Sequence, residues 1–170
     1  MNLYRIGIAC LFVNGFIFLF YAFFVPGLVS GVHGLVTLIA LLFLIALPPI
    51  HRFLDQLNKT VARFTVLLLG VSMVMIVLSD ILFALSTLSR ISHDLVYALG
   101  NAIFVVCIFV IGGVTLKSPT FKLFGVLSLV TAIIALSTYA PQGRGWIFSF
   151  SLLMLGLWSF GLGVSIRRTK

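Results

Sequence analysis

The chain has 170 residues, of which 62% are hydrophobic and only 8% charged, with a formal net charge of +8. A soluble domain carries about a quarter charged residues, so this supply excludes a water-covered surface and turns the excess of cations into a question of membrane topology. A helix that crosses a hydrocarbon layer roughly 30 Å thick needs about 20 apolar residues, and six such spans fit: about 4–24, 28–47, 64–88, 94–116, 121–139 and 146–166. The expectation is an all-α integral membrane protein, a bundle of six transmembrane helices forming one polytopic domain over residues 1–170.

The first span, from Tyr4 to Phe24, is longer than an ordinary signal core, has the single Arg5 as its basic region and is not followed at once by a small-residue cleavage site, so it reads as a permanent helix. Pro26-Gly27 separates it from the second span, Leu28 to Leu47. That helix is expected to stop at Pro48-Pro49, because proline lacks the amide proton and clashes with the preceding turn. The segment HRFLDQLNKTVAR that follows carries Phe53, Leu54, Leu57 and Val61 among its cations, the pattern of a loop lying on the inner headgroup surface, with Asp55 paired to Arg52 or Lys59.

The third span, Phe64 to Leu88, contains Asp80, the only charged residue well inside an apolar run. A carboxylate at a helix centre costs roughly 2.5 to 3.5 kcal/mol on insertion scales, so Asp80 has to face protein or a cavity rather than lipid. Ser72, Ser79 and Ser86 recur at seven-residue spacing on the same helix and Thr87 stands one step from Asp80, a polar stripe that equally suits close helix packing.

Only Ser89 to His93 joins this span to the fourth, Asp94 to Leu116, so the two are antiparallel neighbours. Asp94, Tyr97 and Asn101 share one face of the fourth helix, and counting about 1.5 Å per residue along both arms places Asn101 at the depth of Asp80. The expected arrangement is a polar column with Arg90, His93 and Asp94 at its mouth, Tyr97 below them, and Asp80 bonded to Asn101 at the bottom. Arg144, in the turn between spans five and six, and His33, at the outer end of span two, complete the mouth.

Ser118-Pro119 places a capping hydroxyl before the fifth span, Phe121 to Tyr139, and Pro141 to Gly145 forms a compact turn before the sixth, Trp146 to Ile166. Short similarities between the first and fourth spans, around Asn14 and Asn101, and between the third and sixth, at Gly70 and Gly156, fit an inverted repeat but are short enough to arise by chance in Leu- and Phe-rich sequence. Cys10 and Cys107 lack CxxC spacing and read as small buried hydrophobes.

With the amino terminus in the cytoplasm, that side holds Arg5, Arg52, Lys59, Arg63, Lys117, Lys122, Arg167, Arg168 and Lys170, against Arg90 and Arg144 opposite. The positive-inside rule then puts both termini in the cytoplasm and the protein in a cytoplasmic membrane. Arg52, Lys59, Arg63, Lys117, Lys122, Arg167 and Arg168 are candidates for contact with anionic headgroups, and no nucleic-acid partner is expected. The sequence lacks GxSxG, a Walker loop and paired acidic motifs, and has no glutamate, so an enzyme is disfavoured. No cofactor or metal is expected; haem held by His33 and His93 is the one arrangement the histidines permit. The leading expectation is binding or translocation of a small solute, ion or proton through an outward-facing polar pocket made by Asp80, Asn101, Tyr97, Asp94, Arg90, His93, Arg144 and His33. The alternatives are a non-catalytic subunit that stabilises a membrane complex, with a membrane protein partner or as a homo-oligomer, and a membrane enzyme acting on lipid or a redox carrier.

Overall fold

A computed structural model describes residues 2–24, 33–137 and 146–169. The described residues form six α-helices and one short 3-10 turn, with no strand among them: α1 (Leu3–Phe24), α2 (His33–Leu57), α3 (Lys59–Ala84), α4 (Arg90–Leu116), α5 (Lys122–Ser137) and α6 (Trp146–Arg168). All six are long and apolar enough to cross a membrane, as a multi-pass membrane protein requires. The turns at Pro26-Gly27 and at 141–145 lie outside the described residues.

Each helix packs on its neighbours in sequence, and α6 returns to pack on α1, so the six close into a ring. A ring of six helices leaves space along its axis, and here side chains fill it. Phe43 of α2, Phe104 of α4 and Trp158 of α6 meet there with ring centroids 5.3, 6.1 and 5.9 Å apart. All three are buried, and the Trp158 indole donates from Nε1 to Ser128 Oγ of α5 at 3.0 Å. Alternate helices therefore supply the plug while α5 braces it through Ser128, and an indole N–H removed from water keeps a partner.

The largest departure from expectation is at Pro48-Pro49, where α2 does not stop but continues to Leu57. A proline inside a helix costs about 3 kcal/mol. What offsets it is packing: Ala46, Ile50, Phe53 and Leu54 are all fully buried, and the Phe53 ring stands edge-on to Phe121 at 5.1 Å. Pro49 cannot donate to the Ile45 carbonyl, and α1 comes closest there, since a Cβ on Gly7 would lie 2.7 Å from Pro49 Cγ and 2.9 Å from Ile45 O. Only Asn58 separates α2 from α3, accepting at Oδ1 from Val61 N as the cap.

The segment read as a surface loop is thus two helix ends, and Phe53 and Leu54 face the protein interior rather than headgroups. Asp55 forms no ion pair with Arg52 or Lys59; the Arg52 guanidinium lies 5.4 Å over the Tyr4 ring instead. Before α5, Pro119 opens a 3-10 turn over Pro119–Phe121, and Ser118 precedes it without a side-chain capping bond.

Helices α4 and α5 meet at Gly112 and Gly125. A Cβ on Gly125 would lie 2.7 Å from the Leu116 backbone nitrogen and 3.0 Å from Gly112 O, and backbone cannot rotate aside as a side-chain tip can. Gly125→Ala is therefore expected to cost about 1–3 kcal/mol in reversible unfolding in mixed micelles. Gly113→Ala, one residue from Gly112 but with nothing within 4 Å of the new methyl, should be neutral or stabilising. Equal losses for the two variants would refute this crossing.

Candidate functional site

The site forms where α3 ends and α4 begins. Helix α3 terminates at Ala84 and not at Leu88, because the Leu82 carbonyl accepts from both Thr87 N and Leu88 N and Ser86 takes a left-handed conformation with φ 56°. Ser89 then caps α4, accepting at Oγ from Ser92 N. Residues 85–89 consequently turn the chain without adding helical depth, so the pairing across the hairpin is shallower than a residue count implies. Ser72 Oγ donates to Gly100 O at 2.7 Å and Ser79 Oγ donates to His93 O at 3.2 Å. In that register Asp80 meets His93, and Asn101 lies near Ser72, two turns deeper.

Asp80 stands only one turn from the end of α3, yet it is buried, with 6% exposure. Its Oδ1 lies 3.0 Å from His93 Nε2, and its Oδ2 accepts from Thr37 Oγ1 of α2 at 2.6 Å. The carboxylate thus joins three helices. His93 is itself 2% exposed, and its other ring nitrogen, Nδ1, lies 3.2 Å from Asp94 Oδ1. The imidazole is further fixed between the Phe83 ring at 4.6 Å and the Tyr97 ring at 5.8 Å. Asp94 is solvent-facing, its side chain 65% exposed.

The chemistry follows from counting protons. An imidazole with both nitrogens against carboxylates needs a proton on each N···O line. A neutral imidazole beside two carboxylates supplies one, and an imidazolium supplies a second. Removing that proton converts one contact into two facing lone pairs and breaks it. The three groups form a line from an exposed carboxylate through a buried imidazole to a buried carboxylate. They do not converge on a point, and among the described residues no group of three His, Cys, Asp or Glu side chains is arranged to hold a metal ion.

Of the residues singled out in the sequence, Asp80, His93, Asp94 and Tyr97 are brought together. Asn101 is not, since its amide donates to the Tyr97 carbonyl of its own helix at 2.9 Å. The expected Asp80–Asn101 bond is replaced by Asp80–His93, for the reason of register given above. Arg90 is exposed at the start of α4 and forms no ion pair with either aspartate. Arg144 and the side chain of His33 lie outside the described residues. Thr37 and Phe83 were not anticipated; the only signal for Thr37 is that it is the one hydroxyl in the apolar run GLVTLIALL.

The Ser72/Ser79/Ser86 stripe divides in function. Ser72 and Ser79 fasten α3 to backbone carbonyls of α4, whereas Ser86 lies in the turn and is exposed. Arg5, Arg52, Lys59, Arg63, Lys117, Lys122, Arg167 and Arg168 are all exposed at the opposite end of the bundle, where α1, α3 and α5 begin and α2, α4 and α6 end. Cys10 and Cys107 are buried and unbridged. No protein-family model matches the chain, and no curated protein and no solved structure matches it either.

Proposed function

We propose that this is a multi-pass protein of a cytoplasmic membrane that takes up protons from the outer side and relays them to a buried carboxylate. The observation that carries the reading is the imidazole of His93, bonded by Nε2 to buried Asp80 and by Nδ1 to exposed Asp94. Histidine is the side chain whose ordinary titration lies between pH 5 and 8, and an intramembrane ionisable cluster is expensive enough to call for a use. In this reading the cation-rich end and both termini face the cytoplasm, and Asp94 is the proton's point of entry. His93 passes it from Nδ1 to Nε2, and Asp80 receives it while Thr37 keeps the carboxyl oriented. The aromatic plug lies about 9 Å deeper along α2, so the relay runs between α2, α3 and α4 and not along the ring axis.

The test is proton entry into liposomes that contain the purified protein and an internal pH dye, driven by a potassium diffusion potential. Entry faster than into empty liposomes is expected, with a loss of at least about tenfold in His93→Gln and Asp80→Asn, and a smaller loss in Asp94→Asn. Unchanged entry in His93→Gln would remove the imidazole from the path.

One observation favours a second reading. Asp80 accepts from α2 and stands against α4 while Ser72 and Ser79 bond α4, so the cluster also serves as a tie among three helices, as a stabilising subunit would need. Folded wild-type protein in liposomes no leakier than empty ones would select that reading over the relay.

A further inference from the structure

Away from the Asp80 cluster, two side-chain atoms stand out because they are fully buried and unpartnered among the described residues: Asn14 Oδ1 of α1 and Ser159 Oγ of α6. Several other buried hydroxyls in the bundle are bonded. Ser128, Thr115 and Thr131 each return their proton to the carbonyl four residues earlier, the usual resort of a hydroxyl inside a helix. Ser159 forgoes that bond. Asn14 uses only its donor end, giving Nδ2 to the Ile39 carbonyl of α2 at 3.3 Å, which leaves the stronger acceptor of the amide unused.

The two residues flank one contact between α1 and α6, one on each helix. The α1–α6 crossing is closest where a Cβ on Gly15 would meet the Phe160 ring at 2.6 Å and one on Gly156 would lie 3.1 Å from Gly15 O. Asn14 and Ser159 are the immediate neighbours of Gly15 and Phe160. Ile39, which receives the Asn14 amide, is two residues from Thr37, the α2 partner of Asp80. A buried polar atom left unpaired costs about 1–3 kcal/mol, and two flanking one contact call for a shared small partner that donates to an amide oxygen and exchanges a hydrogen bond with a hydroxyl.

We infer that Asn14 Oδ1 and Ser159 Oγ form a binding site for a buried water molecule at the junction of α1, α2 and α6. Water satisfies both atoms at once, donating to Oδ1 and accepting from, or donating to, Oγ, as internal waters do for otherwise unpaired groups. A metal cation is the poorer fit, since one amide oxygen and one hydroxyl supply no charge. The site does not depend on the proton relay, because it rests on different residues.

The experiment is water-edited solid-state NMR on the full chain in bilayers, following polarisation transfer from water protons to the Asn14 side-chain amide. Asn58, at the exposed start of α3, serves as the positive reference, and the buried Trp158 indole, bonded to Ser128, as the dry one. Transfer to Asn14 at short mixing times, well above that to Trp158 and reduced several-fold in Ser159→Ala, is the expected result. Transfer no greater than to Trp158 in the wild-type chain would overturn the site, as would transfer to Asn14 that Ser159→Ala leaves unchanged. Because the wild-type protein carries the first of these readouts, a folding failure of the variant does not rescue the inference.

Discussion

His93→Ala is expected to be among the most destabilising single changes in the chain, at about 3–5 kcal/mol, the range found when one partner of a buried ionic pair is removed. The imidazole is 2% exposed and stands between Asp80 and two aromatic rings. Its loss opens a cavity and takes the imidazole contact from Asp80 Oδ1. The effect should belong to the pair and not to either residue alone. Replacing both groups with apolar side chains, as Asp80→Leu with His93→Phe, removes the charge along with its partner and should recover most of the loss. Reversible unfolding in mixed micelles measures both variants. A double variant as unstable as His93→Ala would mean that the cluster matters for packing alone, and the proton-counting argument would lose its energetic footing.

Trp158→Ala is expected to cost a similar amount, about 3–5 kcal/mol, as deletion of a large buried aromatic does elsewhere. Trp158 is the largest fully buried side chain, touches the Phe43 and Phe104 rings and holds a hydrogen bond to Ser128. Three helices would lose their common contact at once, and Ser128 would keep only its bond to the Phe124 carbonyl. Trp158→Phe keeps a ring in the plug and gives up the indole bond, so it should cost only about 1 kcal/mol beyond the volume change. If the two substitutions proved equally mild, the plug would not be what holds α2, α4 and α6 together.

The helical class and the number of spans were legible because apolar run length is a direct reading of what a bilayer demands, and all six runs became helices. Helix ends were less legible. Pro48 and Pro49 are strong local stop signals, but the packing of Ile50, Phe53 and Leu54 is a tertiary effect that no local pattern carries. The same limit governed the site. Asp80 announced itself by cost, and the α3–α4 hairpin by its short connection, yet the partner depends on where α3 stops. Four residues too many on α3 and four too few at the start of α4 together moved the expected bond from His93 to Asn101. Thr37 comes from a third helix and could be found only once the ring was known, since nothing in the sequence says which face of α2 meets α3.

Ring closure also sets the order in which this protein can be assembled. Helix α1 is made first, and the partner it packs on besides α2 is made last. At roughly 5–20 residues per second, the Gly15 face of α1 and the Asn14 side chain wait on the order of ten seconds for α6 to arrive. During that interval the Asn14 side chain has only α2 of its eventual neighbours, through the Ile39 carbonyl. Biogenesis of this ring therefore calls for the nascent α1 to be sheltered from lipid until α6 is made, by the insertion machinery or by its early hairpin with α2.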